Sequence, residues 1–323
     1  MATVIGTFMQ PTAEAVPPKP PALWRQALAN RLVIAGLAIV ALLTLLALCA
    51  PLIAPHPMEQ QFDDGLNDDG MPVPPCVKFP LGADSLGRDV LSRVLYGSQI
   101  SLSVGVAAMF AALIIGLVIG MYAGYYGGWV DVVLMRLTDV MMAVPALLLA
   151  LAMAGLIQEG TTFKFPSGSP HPLWEFTLKK GVISILLVIG VVSWTGIARV
   201  VRGQVLALKE RAFVEAARAI GCSNTRILWM HLLPNVLPAI IVLAAMSTAG
   251  TIGLEAALGY LGVGVPPPAP SWGSMISDGQ PYLTVAPWLV LAPGVAIVVA
   301  VLGFNLLGQG LQDVLDPYQK RRH

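Results

Sequence analysis

Charge is what this sequence has least of. Only 11% of its 323 residues are Asp, Glu, Lys or Arg, against about 25% in an ordinary soluble domain. The net charge of +1 leaves no basic footprint for a nucleic acid. Cysteine is nearly absent too. Cys49, Cys76 and Cys222 lie far apart without a CxxC pair, which excludes a disulfide framework and a zinc site of the usual spacing. The four histidines, His56, His171, His231 and His323, form no HExxH, and no GxSxG occurs. These gaps remove the common intramembrane metalloprotease and serine hydrolase readings. No Gly-Lys dipeptide exists anywhere, so the chain has no Walker A phosphate loop.

What is present is apolar: 56% of the residues, with a mean hydropathy of +0.75. Six runs are long enough to cross a bilayer, at Leu32–Ile53, Ile100–Tyr122, Leu137–Ile157, Gly181–Ala198, Val236–Leu258 and Trp288–Leu311. A helix rises about 1.5 Å per residue, so each run matches a hydrocarbon core of about 30 Å. Only two runs carry an acidic or basic side chain: Asp139 in the third and Glu255 near the end of the fifth. The first run exceeds a signal-peptide h-region and ends "CAPLIAPHP" without a small-x-small cleavage site, so it reads as an uncleaved span. Pro145, Pro238 and Pro293 are expected to kink their helices.

With the N-terminus inside the cell, 13 of the 19 basic residues fall on the inner side, and the acidic run "DDGLNDD" falls outside. The positive-inside rule therefore predicts an all-α integral membrane protein with six transmembrane helices and both termini cytoplasmic. The predicted layout is a cytoplasmic tail over 1–31, a first span over 32–53, an extracytoplasmic loop over 54–99, a core over 100–311 and a cytoplasmic tail over 312–323. Within the first loop, Leu86, Val90, Leu91 and Val94 recur at helical spacing behind a cap at Asp84 or Ser85, which predicts a short amphipathic helix. The second outer loop reads as polar and turn-rich, and the third is rich in Pro and Gly and carries Trp272.

One island breaks the apolar pattern. Residues 199–234, between the fourth and fifth runs on the inner side, hold eight charged residues with a balance of +4. In "KERAFVEAARAIGCSNTRILWMHLLPN", Phe213, Ala216, Ala217 and Ile220 follow the i, i+3, i+4, i+7 rule and are expected to share a helix face. Gly221 suits the left-handed residue that ends a helix. Ser223 or Asn224 can cap a second helix over Thr225–Leu233, with Pro234 stopping it. Two readings stand at this point: a rigid elbow that transmits a push into two spans, or a basic amphipathic helix resting on anionic lipid.

"EAARAIG" followed by "LLP" resembles the EAA signature of bacterial ABC-importer permeases, carried here by Glu215, Ala216, Ala217, Gly221, Leu233 and Pro234. "HLLPN", "PLGADSLGRDVLSRVLYGSQISL", "GYYGGWVDVVLMRLTDVMMAVPALLLAL", "LGYLGVGVPPPAPSWGSMI" and "FNLLGQGLQDVLDP" resemble the dipeptide/oligopeptide/nickel subfamily, and its "C"-type subunit in particular. The segments run in order from Trp24 to Pro317. Two departures stand out. Gln309 and Gln312 replace the subfamily's Asp and Arg, and the second outer loop is longer than usual.

The resemblance implies a type I importer permease in the bacterial inner membrane, with no cofactor and no catalytic site of its own. It implies a "B"-type sister permease, two ABC ATPase subunits that bind ATP and Mg, an extracytoplasmic substrate-binding protein, and the lipid bilayer as partners. It also implies di- or oligopeptides as substrates, with nickel chelates, glutathione or another small solute as the alternative. The remote rival, a stand-alone channel, leaves the island unexplained. For Asp139 and Glu255 a pathway or interface role stands beside a plainer one, which for Asp139 is snorkelling from the cytoplasmic end of its span.

Overall fold

The computed structural model describes residues 26–157, the backbone of 161–165 and 174–178, and residues 181–315. The expected tails before residue 26 and after residue 315, and most of the second outer loop, lie outside these residues. The first helix, α1 (Arg31–Leu48), is capped by Asn30, whose side chain accepts from the Leu32 and Val33 amides at 2.8 and 3.3 Å. A short α2 (Ala50–Ile53) leads into the first outer loop.

The second span is not preceded by a separate amphipathic helix. One helix of 37 residues, α3 (Val90–Tyr126), runs from the loop through the span. Its cap is Asp89, not Asp84 or Ser85: the Asp89 carboxylate accepts from the Ser92 amide at 2.9 Å. Asp84 instead closes the turn before the helix. It accepts from the Leu86 and Arg88 amides, both at 2.9 Å, and from the Arg88 Nε at 2.7 Å. The helical spacing of Leu86, Val90 and Val94 belongs in part to that turn, which is why periodicity placed the start too early.

The third run is broken rather than straight. α4 (Gly128–Ala143) and α5 (Ala146–Ile157) meet at 88°. The break falls at Val144, extended at φ −93° and ψ 130° ahead of Pro145, whose ring excludes the helical conformation from the residue before it. With 12 residues, α5 is about 18 Å long, too short to cross alone. Among the described residues five helices are thus single span candidates, and this bent pair makes a sixth if it counts as one span.

Beyond the break, β1 (Thr161–Phe165) and β2 (Trp174–Leu178) pair antiparallel with Phe163 opposite Phe176. The hairpin lies within the polar, turn-rich second outer loop, and the alternation in "TTFKF" is its sequence signal. The remaining helices are α6 (Val182–Leu208), α7 (Ala212–Ala219), α8 (Asn224–Tyr260), α9 (Trp272–Gly279) and α10 (Trp288–Leu315). Pro238 and Pro293 sit within α8 and α10 without ending them, unlike Pro145.

Small residues let these helices touch. Gly116, Gly120 and Gly124 repeat every fourth residue along α3 and face α6. A Cβ on Gly120 would stand 2.5 Å from the Ala198 carbonyl oxygen, and one on Gly116 would stand 2.7 Å from that of Trp194. Lipid supplies no hydrophobic drive between helices, so close backbone approach of this kind is what joins them. α3 is also joined to α8, where the Thr251 hydroxyl donates to the Gly105 carbonyl at 2.8 Å. α1 packs on α10, with Gly36 against the backbone of Gly303 and Leu307. Trp272, at the start of α9, is fully buried. It donates its backbone N–H to the Ser101 hydroxyl and its indole N–H to the Val94 carbonyl, both at 3.1 Å.

Candidate functional site: an elbow between two spans

The island folds as helix, turn, helix. α7 ends at Ala219 with Ile220 as its cap, and Gly221 follows at φ +80°, with the Gly221 amide donating to the Arg218 carbonyl and the Cys222 amide to the Ala217 carbonyl, both at 3.0 Å. Only glycine adopts that backbone without penalty. Ser223 caps α8, accepting from the Arg226 amide at 3.4 Å.

Two expectations about the elbow are corrected. The second helix does not stop at Pro234. It continues unbroken to Tyr260, because a π-helical stretch over Ile227–Leu232 loosens the turn just before the proline, and the Asn235 side-chain Nδ2 donates to the His231 carbonyl at 2.6 Å. Nor do Phe213, Ala216, Ala217 and Ile220 all lie on one side of the helix: Ala217 is buried and the other three are exposed. The residues of α7 that pack into the chain are Val214 and Ala217. They join a core with Ile227, Leu228 and Leu232. Phe213, Ala216 and Ile220 are exposed, Ile220 by 80%, and Glu215 is exposed beside them. The apolar periodicity was real, but it marks a stripe left uncovered by this chain.

The elbow is anchored to the other helices by side chains that sequence reasoning missed. The Tyr125 hydroxyl, at the end of α3, donates to the Asn224 side chain at 2.8 Å, and the Arg218 guanidinium lies 5.6 Å above the Tyr125 ring. Arg202 of α6 makes a two-pronged pair with Asp131 of α4, at 2.5 and 2.6 Å. These partners are 71 to 99 residues apart, so no local pattern announces them. Asp139 is likewise paired, to the Arg199 Nη2 at 2.6 Å, with both side chains about half exposed. Glu255 is wholly buried in α8. The Ser101 and Ser271 hydroxyls lie alongside its carboxyl, and among the described residues neither oxygen is in full hydrogen-bond geometry with a partner.

The two ion pairs differ in expected weight. A two-pronged guanidinium–carboxylate pair that is 33% and 19% exposed is held more firmly than a single contact at 47% and 51%. Asp131→Asn is expected to lower stability by about 1–2 kcal/mol. Asp139→Asn is expected to stay within about 0.5 kcal/mol. Thermal unfolding of the detergent-solubilised protein checks the order.

Comparison with known proteins fixes what kind of chain carries this elbow. Residues 116–321 match the family described as "Binding-protein-dependent transport system inner membrane component". The chain belongs to that family. Residues 22–75 match a second description, "N-terminal TM domain of oligopeptide transport permease C". The permease is 41% identical over 295 residues to the glutathione transport system permease protein GsiD of Salmonella typhimurium, covering 91% of this chain and 89% of that one. It is 40% identical to the Shigella flexneri GsiD and 38% identical to that of Escherichia coli O6:K15:H31, with the same coverage.

Among solved structures, an inward-facing form of the MetNI methionine ABC transporter has a chain that aligns with a TM-score of 0.51 at 20% identity. The match covers 68% of this permease and 95% of that chain. At that identity it speaks for the fold alone, an importer-permease bundle. The chain is therefore a multi-pass inner-membrane permease of an ABC importer and carries no catalytic site or cofactor. ATP binding belongs to partner ATPase subunits.

Proposed function

We propose that this permease forms half of a translocation pathway for glutathione or a peptide of similar size, moved inward by alternating access. The likeness to glutathione permeases at 38–41% identity over 91% of the chain supports the substrate. Di- and oligopeptides are the second reading, supported by the match of residues 22–75 to the oligopeptide permease family. The other half of the pathway is a "B"-type sister subunit. Two ATPases sit below, and a substrate-binding protein delivers from outside.

In this reading residues 199–234 form the coupling piece. The uncovered stripe of Phe213, Ala216 and Ile220 seats in a groove of an ATPase. The small side chain of Ala216 allows close approach, the buried Ala217 seats α7 on the core beneath it, and the exposed Glu215 meets a cationic or hydrogen-bonding group there. Gly221 fixes the angle between α7 and α8, and Leu233 and Pro234 carry the motion into α8. Asp139, with Arg199, stands at the pathway or sister interface. Glu255, enclosed in this conformation, would reach the pathway only in another one. Because α7 joins α6 and α8 within a few residues, ATPase closure tilts both spans together.

The test is uptake into proteoliposomes holding the whole importer and its binding protein. ATP-dependent accumulation of labelled glutathione is expected. Accumulation of nickel chelate with none of glutathione, dipeptide or oligopeptide would overturn the substrate reading.

A further inference from the structure

A half-enclosed cavity of about 450 Å³ opens where the first and third outer loops meet. Its walls come from Ser85 and Arg88 before α3, Arg93 in its first turn, the Gly259–Ala269 segment after α8, and Ser274, Ser277 and Asp278 of α9. On the orientation given by the charge distribution, it faces the extracytoplasmic side, where substrate arrives. Its size lies within the range of small-molecule sites, and its polar groups converge from separate elements.

Its charges are arranged unusually. Arg88 is committed to Asp84 at 2.7 Å. Arg93 is not fully committed. It is 4% exposed, its Nε stands 3.4 Å from Asp84, its Nη2 stands 4.0 Å from Asp278, and its Nη1 has no hydrogen-bond partner among the described residues. A buried guanidinium nitrogen without an acceptor is costly unless something completes it. Asp278, by contrast, has 57% of its side chain exposed, and among the described residues its ion contact is the long one with Arg93. The cavity thus offers a guanidinium with spare donor capacity and a carboxylate with spare acceptor capacity, side by side.

We infer that this cavity binds an α-amino-acid head group, in which an ammonium and a carboxylate sit on one carbon. The carboxylate is received by Arg93 and the ammonium by Asp278, while Ser274 and Ser277 offer hydroxyls to the rest of the ligand. The inference rests on the glutathione reading above. A γ-glutamyl peptide carries this group at its glutamyl end, whereas a peptide linked through the α-carboxyl does not. The permease itself would then select γ-glutamyl substrates after release from the binding protein.

The experiment uses the complete importer in proteoliposomes, with assembly verified by gel filtration, and reads molecules imported per ATP hydrolysed at saturating binding protein. The probes are glutathione and its α-glutamyl isomer, which has the same atoms and charge but separates the two groups. Asp278→Asn is expected to lower the glutathione ratio by about tenfold and to leave the isomer's ratio at its wild-type value. Ser277→Trp, which fills the cavity without touching either charge, is expected to lower the glutathione ratio similarly. Glutathione import at the wild-type ratio by both variants overturns the inference. So does an equal fall for glutathione and isomer in Asp278→Asn. If the wild type imports neither probe, the glutathione reading itself falls. Wild-type import of glutathione followed by unaffected variants removes only the site.

Discussion

Replacing Gly221 with valine uncouples the importer: ATP is still hydrolysed, but uptake falls by about tenfold or more. The expectation follows from the backbone. Gly221 has φ +80°, and an added Cβ meets nothing within 4 Å. A side chain there causes no clash, so the permease still folds and inserts. The penalty is conformational. A β-branched residue in the left-handed region costs of order 1–3 kcal/mol. The turn can shed that strain by leaving the left-handed conformation. Doing so swings α7 away from its angle to α8 and moves the exposed stripe off its ATPase seat. Gly221→Asn is the control, because asparagine tolerates the left-handed region. It should retain most of the uptake. ATP hydrolysed per substrate imported is the measurement, and a valine variant with the wild-type ratio would refute the coupling role of the turn.

The second large effect is on the fold itself. Gly120→Leu is expected to abolish recovery of monodisperse permease in detergent. At this position even a Cβ would stand 2.5 Å from a carbonyl oxygen and 2.7 Å from the Val201 Cβ, so α3 and α6 must separate. Overpacking of a well-fitted interface costs about 1–3 kcal/mol where side chains can yield, and backbone yields less. Gly196→Ala on the facing helix is the comparison, since nothing lies within 4 Å of its added Cβ. It should behave as wild type. A Gly120→Leu protein that elutes and melts like wild type would show that the close helix contact is dispensable.

Much of the fold was legible because membrane helices declare themselves by length and apolarity. The spans built on Ile100, Gly181, Val236 and Trp288 correspond to continuous helices, and the one built on Leu32 to a helix that ends at Leu48, short of the expected Ile53. The third did not read correctly, because hydropathy does not register a bend. Pro145 was visible, but nothing local distinguished its 88° break from the unbroken passage of α8 and α10 through Pro238 and Pro293. The cap at Asp89 was hidden by an equally good candidate at Asp84, which serves a turn instead.

At the elbow, periodicity found the helix and glycine found the turn. It could not say which apolar residues the chain would bury. Val214 faces inward because α7 leans on Ile227 and Leu228, a tertiary fact. The Tyr125–Asn224 and Arg202–Asp131 anchors, and the meeting of Arg93 with Asp278, join residues distant in sequence and had no local signature.

The central claim is that the exposed stripe on α7 is covered by an ATPase. Chemical access to Ala216→Cys tests it directly, in a Cys222→Ser background that removes the other thiol of the elbow. A bulky maleimide is applied from the cytoplasmic side to the permease pair alone and to the complete importer. The account predicts rapid labelling of Ala216→Cys in the permease pair and labelling slowed by about tenfold or more when the ATPases are bound. Equal labelling rates in the two preparations, with ATPase binding confirmed by co-purification, would contradict it.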